Sequence, residues 1–249
     1  MTAGSLLGAL ALALALTVPP TPAPAQSPLA EAHALVARYH EDPERLDRAR
    51  DLLERMLRED PQPEAFVFLA RIYLAWGDVR ARDREEKLAT YERGREVAKR
   101  GVELAPRSAD AHLWYAANVG RWGQTHGVLR SLFLIPTLKQ EIETILELDP
   151  KHPQGHGLAG VFYLEVPALF GGSLEKAEEH LRKGLDLDPH ATNIRLDLAK
   201  LLIKRQRYDE ARRELRRLLG EKNPSSLPDY MAKHRKAATA LLESIEDKS

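Results

Sequence analysis

The chain has 249 residues, with 37 basic and 37 acidic side chains, so its formal net charge at neutral pH is zero. Binding to a phosphate backbone needs a concentrated basic surface, and here the arginines alternate with acidic residues, so we expect no nucleic-acid partner. The absence of cysteine excludes disulfides, thiol catalysis, cysteine-based zinc sites and the lipid-bearing cysteine of a bacterial lipoprotein.

The first 25 residues are typical of a signal peptide. Residues 6–18 form an uninterrupted apolar run, and Ala-Pro-Ala at 23–25 supplies the small residues of a cleavage site. The run is shorter than the roughly 20 residues of a membrane span. We predict cleavage after Ala25, a periplasmic or secreted location, and one mature domain over 26–249 without a membrane span. Residues 1–5 contain no Lys or Arg, which departs from the usual signal-peptide pattern.

Five prolines divide the rest of the chain into similar units. Proline stops a helix and keeps the preceding residue out of the α region, so each unit is expected to end at its proline. The prolines are Pro61, Pro106, Pro150, Pro189 and Pro224. Each follows, by twelve residues in four units and thirteen in the fifth, a residue that we expect to open a second helix. These residues are Ala49, Gly94, Leu138, Ala177 and Ala211.

The first helix of four units carries an alanine and, three residues later, a larger residue. The alanine lets two helices approach, and the larger side chain fills the space beside it. The pairs are Ala37 and His40, Ala70 and Tyr73, Ala159 and Phe162, and Ala199 and Leu202.

These residues, together with Ala49-x3-Leu53, Ala177-x3-Leu181 and Ala211-x3-Leu215, resemble the tetratricopeptide repeat (TPR), a helical hairpin of about 34 residues. The resemblance implies an all-α, TPR-like α-solenoid of about five helical hairpins. We expect residues 228–245 to form a C-terminal capping helix with its apolar side inward. The inward residues would be Met231, Ala238, Leu241 and Leu242.

Units two, three and four are longer than the repeat requires. The insertion in unit two, residues 80–87, is polar and is expected to extend the helices or to form a charged loop. Residues 128–135 are apolar and precede Pro136, where we expect a break, and residues 161–170 are apolar as well. Either these two segments pack on each other and thicken the core, or they line an apolar cleft.

The segment 167–181, Pro-Ala-Leu-Phe-Gly-Gly-Ser-Leu-Glu-Lys-Ala-Glu-Glu-His-Leu, resembles the T-component family of TRAP transporters. Residues 114–123 are also similar to TPR proteins of the regulator of microtubule dynamics type. The first resemblance implies an accessory subunit of a periplasmic uptake system, with a solute-binding protein as partner and a small apolar ligand. The alternative is a general envelope adaptor that binds a peptide or protein in its concave groove. A homo-oligomer is compatible with either function.

The stretched units also contain the candidate binding residues, because Trp and Tyr bury a large area at a low entropic cost. Trp114 and Trp122 are eight residues apart and can share a helix face, although each is also a candidate for core packing. Glu165 interrupts an apolar run, so it should face solvent, pair with an arginine such as Arg121 or Arg130, or contact a ligand. The predicted set is Trp114, Tyr115, Asn118, Trp122, Phe162, Tyr163, Glu165 and Phe170.

Histidines raise the question of a metal site. His152 and His156 have the i, i+4 spacing of two metal ligands, and His126 and His180 are possible further ligands. Pro153, however, marks a helix start, and no acidic residue lies between the first two histidines. The sequence also contains no nucleophile elbow, phosphate-binding glycine loop or dinucleotide fingerprint. We expect a binding protein without cofactor or metal, and not an enzyme.

Overall fold

The computed structural model describes residues 27–248, and in this range every regular element is helical. The predicted all-α solenoid of five hairpins is confirmed. The signal peptide predicted over residues 1–25 lies outside the described residues. The hairpins pair α1 (Pro28–Val36) with α2 (Arg45–Glu59), α3 (Pro63–Val79) with α4 (Arg84–Leu104), α5 (Ala109–His126) with α6 (Val128–Leu148), α7 (Pro153–Glu165) with α8 (Leu174–Leu187), and α9 (Thr192–Lys204) with α10 (Tyr208–Leu219).

Local sequence sets the ends of these helices. Side-chain oxygens of Ser27, Asp83, Ser108 and Ser173 accept hydrogen bonds from backbone N–H groups in the first turns of α1, α4, α5 and α8. The second helix ends two residues before the repeat proline in the first four hairpins, and five residues before Pro224 in the fifth. The predicted unit boundaries are therefore confirmed.

The second helices begin earlier than the sequence pattern indicates. The five residues expected to open them lie three to ten residues inside the helix, where they serve as packing positions: Ala49, Ala177 and Ala211 are fully buried. In the first hairpin, α1 ends at Val36, so Ala37 is exposed beyond it and Ala32 is the buried small residue.

The break that the sequence predicts at Pro136 does not occur. Helix α6 continues through it, with Pro136 on the exposed side, where the missing N–H disturbs only the preceding turn. The polar insertion of the second hairpin, residues 80–87, is half helical, since residues 80–83 connect α3 to α4 and residues 84–87 belong to α4.

The C-terminal part is not one regular helix. A π-helical turn precedes the last helix and changes which residues face the core. Tyr230 is therefore buried, whereas Met231, which we expected inward, is 44% exposed. Ala238 is buried, and Leu241 and Leu242 pack on the last hairpin as predicted. The elements are α11 (Leu227–Asp229), the π-helical turn Tyr230–His234 and α12 (Arg235–Ser244).

The apolar core has three parts. One lies among the first two hairpins and reaches α5, a small one lies between α6 and α7, and one joins the last two hairpins to the C-terminal helix. The first helices of neighbouring hairpins contact each other, α3 with α5, α5 with α7 and α7 with α9, and the described second helices make no comparable contacts. In a curved solenoid, the helices that contact their counterparts in the next hairpin lie on the concave side. The first helices therefore line the concave inner face.

Close packing at Gly94 gives a test of this arrangement. A Cβ on Gly94 would lie 2.9 Å from Tyr73 Cβ and would collide with the Asn118 side chain. We expect Gly94→Ala to lower the free energy of unfolding by about 1 to 3 kcal/mol through overpacking. In the control Gly120→Ala, the nearest atom is Leu138 Cδ2 at 3.9 Å, and replacing a helical glycine should stabilise by up to about 1 kcal/mol. Equal effects in chemical denaturation would contradict the close contact of α3, α4 and α5.

Candidate functional site

A row of aromatic and charged side chains begins at the first helix and follows the inner face. His33 of α1 stacks on Phe68 of α3 with ring centroids 3.7 Å apart. Arg71, one turn further along α3, has its guanidinium 5.9 Å from the Phe68 ring and 5.6 Å from the Trp114 ring on α5. These distances allow cation–π attraction on both sides of the guanidinium.

The row continues with polar contacts toward the last hairpin. Asp110 of α5 lies 3.3 Å from His152 Nε2 at the start of α7, and this contact lowers the pKa of Asp110. Gln154 of α7 accepts a hydrogen bond of 2.7 Å from Asn193 of α9. Side chains from all five first helices thus form one row, which we call the inner-face row, and its Phe68 is a core residue, 7% exposed, that supports the more accessible groups. Its members are His33, Phe68, Arg71, Asp110, Trp114, His152, Gln154 and Asn193.

Residues 226–234, the C-terminal segment, tie the two ends of the solenoid together. The Tyr39 hydroxyl, just beyond α1, donates to Asp229 Oδ1 at 2.8 Å. Lys233 Nζ donates to Asp78 Oδ2 of α3 at 3.0 Å and lies 2.7 Å from Asp229 Oδ1. At the other end, His234 hydrogen-bonds the Thr192 hydroxyl of α9 at 2.8 Å. The segment therefore contacts the first, second and fifth hairpins.

The charges in this contact are largely removed from water. Side-chain exposure is 10% for Asp78, 20% for Asp229 and 25% for Lys233. Burial alone would raise the pKa of Asp78, but the charges of Arg121 and Lys233 outweigh it and hold that pKa below its usual value. The pKa of Lys233 is raised, because the attraction of Asp229 and Asp78 exceeds the opposing effect of burial. Burial opposes ionisation of Asp229 as well, but Lys233 and the hydrogen bonds from Ser226 and Tyr39 hold its pKa below the usual value, so all three groups are ionised at neutral pH.

Sequence reasoning missed a contact that recurs in the last three hairpins. The residue six positions after the repeat proline bonds the proline's carbonyl oxygen and a side chain of the second helix, which fixes the loop to the hairpin. The only sequence signal is the constant spacing of six to a His or Arg. The pairs of contacts are His112 with Pro106 (3.0 Å) and Glu141 (2.5 Å), His156 with Pro150 (3.1 Å) and His180 (3.0 Å), and Arg195 with Pro189 (2.7 Å) and Glu214 (2.7 Å).

The structure separates the predicted binding residues. Asn118 is fully buried and donates to the carbonyls of Ala70 (3.1 Å) and Trp114 (2.8 Å), so its placement at a binding surface is wrong. Phe162 is 8% exposed within the core between α6 and α7, and its surface placement is also corrected. Both side chains point into the core because neighbouring helices approach closely at these two positions. Trp114 and Tyr115 are half-buried against the first core part.

The other predicted residues are partly or fully accessible. Trp122 carries Arg95 over its ring at 4.5 Å, and Tyr163 stacks on His180 with centroids 5.6 Å apart. Glu165 is exposed, and the proposed pairing with Arg121 does not occur because Arg121 contacts Asp78. These three residues do not meet Trp114 in one site. Phe170 is 46% exposed at the far end of the fourth hairpin.

The two apolar segments contribute partly to the core. Ile135 and Val166, one from each segment, belong to the same cluster between α6 and α7. Other members point outward, with Phe133 81% and Leu169 87% exposed. The open concavity beside α10 is lined mainly by charged residues that lie outside both apolar segments, such as Arg195, Arg217 and Glu221. The core-packing alternative is therefore supported for part of each segment.

The four histidines considered as metal ligands do not converge. His126 packs on Trp122, His152 contacts Asp110, and only His156 and His180 meet. Among residues 27–248, no cluster of three or more His, Asp or Glu side chains has the arrangement of a metal site. In the same range, no helix is both long enough and apolar enough to cross a bilayer.

Comparison with known proteins separates the chain into two matching parts. Residues 29–170 match the family described as regulator of microtubule dynamics protein 1-3, and residues 171–233 match the tetratricopeptide repeat. The first match covers more than half of the chain. The chain belongs to the regulator of microtubule dynamics protein 1-3 family. The predicted similarity to this family and to TPR proteins is confirmed, whereas the resemblance of residues 167–181 to the TRAP T-component family is not supported.

Relatives within the regulator of microtubule dynamics family are distant. Regulator of microtubule dynamics protein 3 of Rattus norvegicus is 29% identical over 104 residues, which cover 41% of this chain and 22% of that protein. Protein 1 of Pongo abelii is 28% identical over 157 residues, which cover 55% and 50%. The chain thus spans between about a fifth and a half of the length of these curated relatives.

Solved structures agree on the fold. A thermophilic TPR protein of Thermus thermophilus superposes with a TM-score of 0.62 at 24% identity, covering 84% of this chain and 99% of that one. PilF of Pseudomonas aeruginosa superposes with a TM-score of 0.50 at 16% identity, covering 87% and 90%. At these identities the likeness shows the fold of a TPR solenoid.

The ion pairs of Lys233 give a second prediction. Lys233→Met leaves Asp78 and Asp229 with little solvent and without their shared cation, which typically costs about 3 to 5 kcal/mol. We expect that loss in the free energy of unfolding, together with faster amide hydrogen exchange in residues 226–234. The control Lys236→Met removes an exposed lysine nearby and should change stability by less than about 0.5 kcal/mol. Similar behaviour of the two variants would contradict the ionic contact.

His234 gives a prediction for pH. Burial lowers its pKa from 6.5 to about 4, so the unfolded chain takes up a proton between these pH values while the folded chain does not. Stability at this residue is therefore lost as pH falls from 6.5 to 4, by up to about 3 kcal/mol. We expect His234→Gln to flatten the pH dependence of unfolding in this window. Part of the slope will remain, because burial also lowers the pKa of His156 and His180. An unchanged slope would contradict a buried neutral His234.

Proposed function

We propose that the protein is an exported scaffold that binds a segment of a partner protein along its concave inner face. The observation that carries this proposal is that the inner side already holds a helical segment of the same chain, residues 226–234. A surface that accommodates one helical segment has the width and the polar contacts to accommodate another. Helix-in-groove binding is a recurrent form of peptide recognition.

The inner-face row adds the chemistry of a binding surface. Arg71 and Trp114 are residue types that dominate recognition surfaces, since each combines a large contact area with directional polar contacts. Because Arg71 is already positioned between the Phe68 and Trp114 rings, little conformational entropy is lost when a partner binds. The alternation of aromatic, cationic and amide groups favours a protein partner over a purely apolar molecule.

Export rests on the apolar run 6–18 and the small residues before Gln26. The proposed location is therefore the periplasm or the extracellular space, and the proposed partner is a protein of the same compartment. An accessory subunit of a TRAP-type system, with a solute-binding protein and an apolar ligand, receives no support from the described residues. The microtubule role in the relatives' name belongs to proteins of which this chain covers at most about half.

A matched pair of variants tests the inner face. We expect Arg71→Gln to reduce the amount of partner protein that co-purifies with the chain at least fivefold. The substitution removes the cation between two aromatic rings and leaves the core intact. Arg100→Gln, on the exposed side of α4, should leave recovery unchanged. A photo-crosslinker at Gln154 should capture the same partner, and one at Lys99 should not. Equal recovery by both variants, with crosslinks only at Lys99, would refute binding at the inner face.

A further inference from the structure

We infer that the C-terminal segment is an internal substitute for the partner, and that the partner presents a helical segment with an acidic residue followed four positions later by a lysine. This inference rests on the proposed function and specifies the chemistry of the ligand. It assigns residues 226–234 a second role besides closing the solenoid. Tyr39 and Asp78 are then the groups that recognise the partner.

The segment displays its two charges on one side. Asp229 and Lys233 are separated by four residues, so in a helical segment they lie one above the other. Tyr39 donates to the carboxylate, and Asp78 accepts from the ammonium group. Ser226 holds the second oxygen of Asp229 at 2.5 Å. The pair of charges thus makes the specific ionic contacts, while Tyr230 of the same segment is buried in the last core part.

Asp78 keeps two hydrogen-bonding partners when the segment is absent. The Tyr91 hydroxyl of α4 donates to Asp78 Oδ1 at 2.8 Å, and Arg121 of α5 lies 3.4 Å from Asp78 Oδ2. Both partners belong to the solenoid and remain when residues 226–234 leave. Asp78 therefore stays oriented toward the place that Lys233 occupies, which makes it a preformed site for a cation.

The geometry favours lysine over arginine. Asp78 Oδ1 is used by Tyr91, and Oδ2 is shared by Arg121 and Lys233. A single ammonium nitrogen can bridge this oxygen and the carboxylate of Asp229, whereas a planar guanidinium prefers two parallel oxygens of one carboxylate. A partner with lysine at this position should bind more tightly than one with arginine.

The segment also has the properties of a displaceable ligand. Leu227 and Met231 are 46% and 44% exposed, so the buried apolar contacts of the segment come from Pro228 and Tyr230, and a partner must match them. Lys233 and Asp229 pair with each other and can keep this pairing in solvent after release. A partner that supplies the same two charges and buries a larger apolar area would replace the segment.

Peptide binding to the full mature chain tests the inference. The probe is a fluorescent peptide of residues 222–244, and binding is followed by anisotropy. The tethered segment has an effective concentration near millimolar, so the wild-type chain should bind the peptide poorly. The Lys233→Met chain, whose own segment is weakened, should bind it at least tenfold more tightly. The Lys236→Met chain should behave as the wild type.

The peptide itself supplies the second comparison. Peptides with Lys233→Met or Asp229→Asn should bind the Lys233→Met chain at least tenfold more weakly than the natural peptide, and Lys233→Arg should give an intermediate affinity. Adding Asp78→Asn to the Lys233→Met chain should abolish the preference for lysine. If the Lys233→Met chain does not fold, the milder Tyr39→Phe chain should still bind the peptide two- to fivefold more tightly than wild type.

Equal affinity of all peptides for one chain, or of one peptide for the wild-type and weakened chains, would overturn the inference. The proposed function would then stand if the partner still depended on Arg71 and crosslinked at Gln154. If the peptide series behaves as expected but no partner crosslinks at Gln154, the proposed function fails. Residues 226–234 would then be a ligand of the protein's own groove alone.

Discussion

Lys233 is a cation held between two carboxylates that come from distant parts of the chain. The contact of the C-terminal segment with the first hairpins depends on it. Removing ions from water is expensive, and the cost is recovered only when charges and hydrogen bonds are well matched. Here Asp78 has Tyr91 and Arg121 as further partners, and Asp229 has Tyr39 and Ser226. The pairing specifies where the C-terminal segment lies more than it adds stability.

The same segment compensates for the small apolar core in the middle of the solenoid. The core between α6 and α7 is small, with three buried residues at its centre, whereas the parts on either side are extensive. Ala232 packs on the first part and Tyr230 belongs to the last. The two halves are therefore joined both along the chain and across the inner face. This second connection restrains the curvature that presents the inner-face row.

The hairpins were predictable because their signals are local and repeated. Pro61, Pro106, Pro150 and Pro189 each follow a helix end by two residues, and buried positions such as Ala70 and Ala199 recur in phase. Prediction failed where contacts between residues distant in sequence determine whether a side chain is buried or tolerated. Asn118 is polar but buried by α3, and Pro136 is tolerated in an exposed turn. Contacts such as Tyr39 with Asp229, 190 residues apart, leave no periodic trace in the sequence.

Solenoids usually contact only their neighbouring repeats and can fold progressively from any point. Here Lys233 follows Asp78 by 155 residues. At about 5 to 20 residues per second, synthesis of that interval takes roughly 8 to 30 s. During this time the first hairpins can form while the chain that covers their inner face does not yet exist. Each new molecule therefore passes once through a stage with an open groove before its own last residues close it.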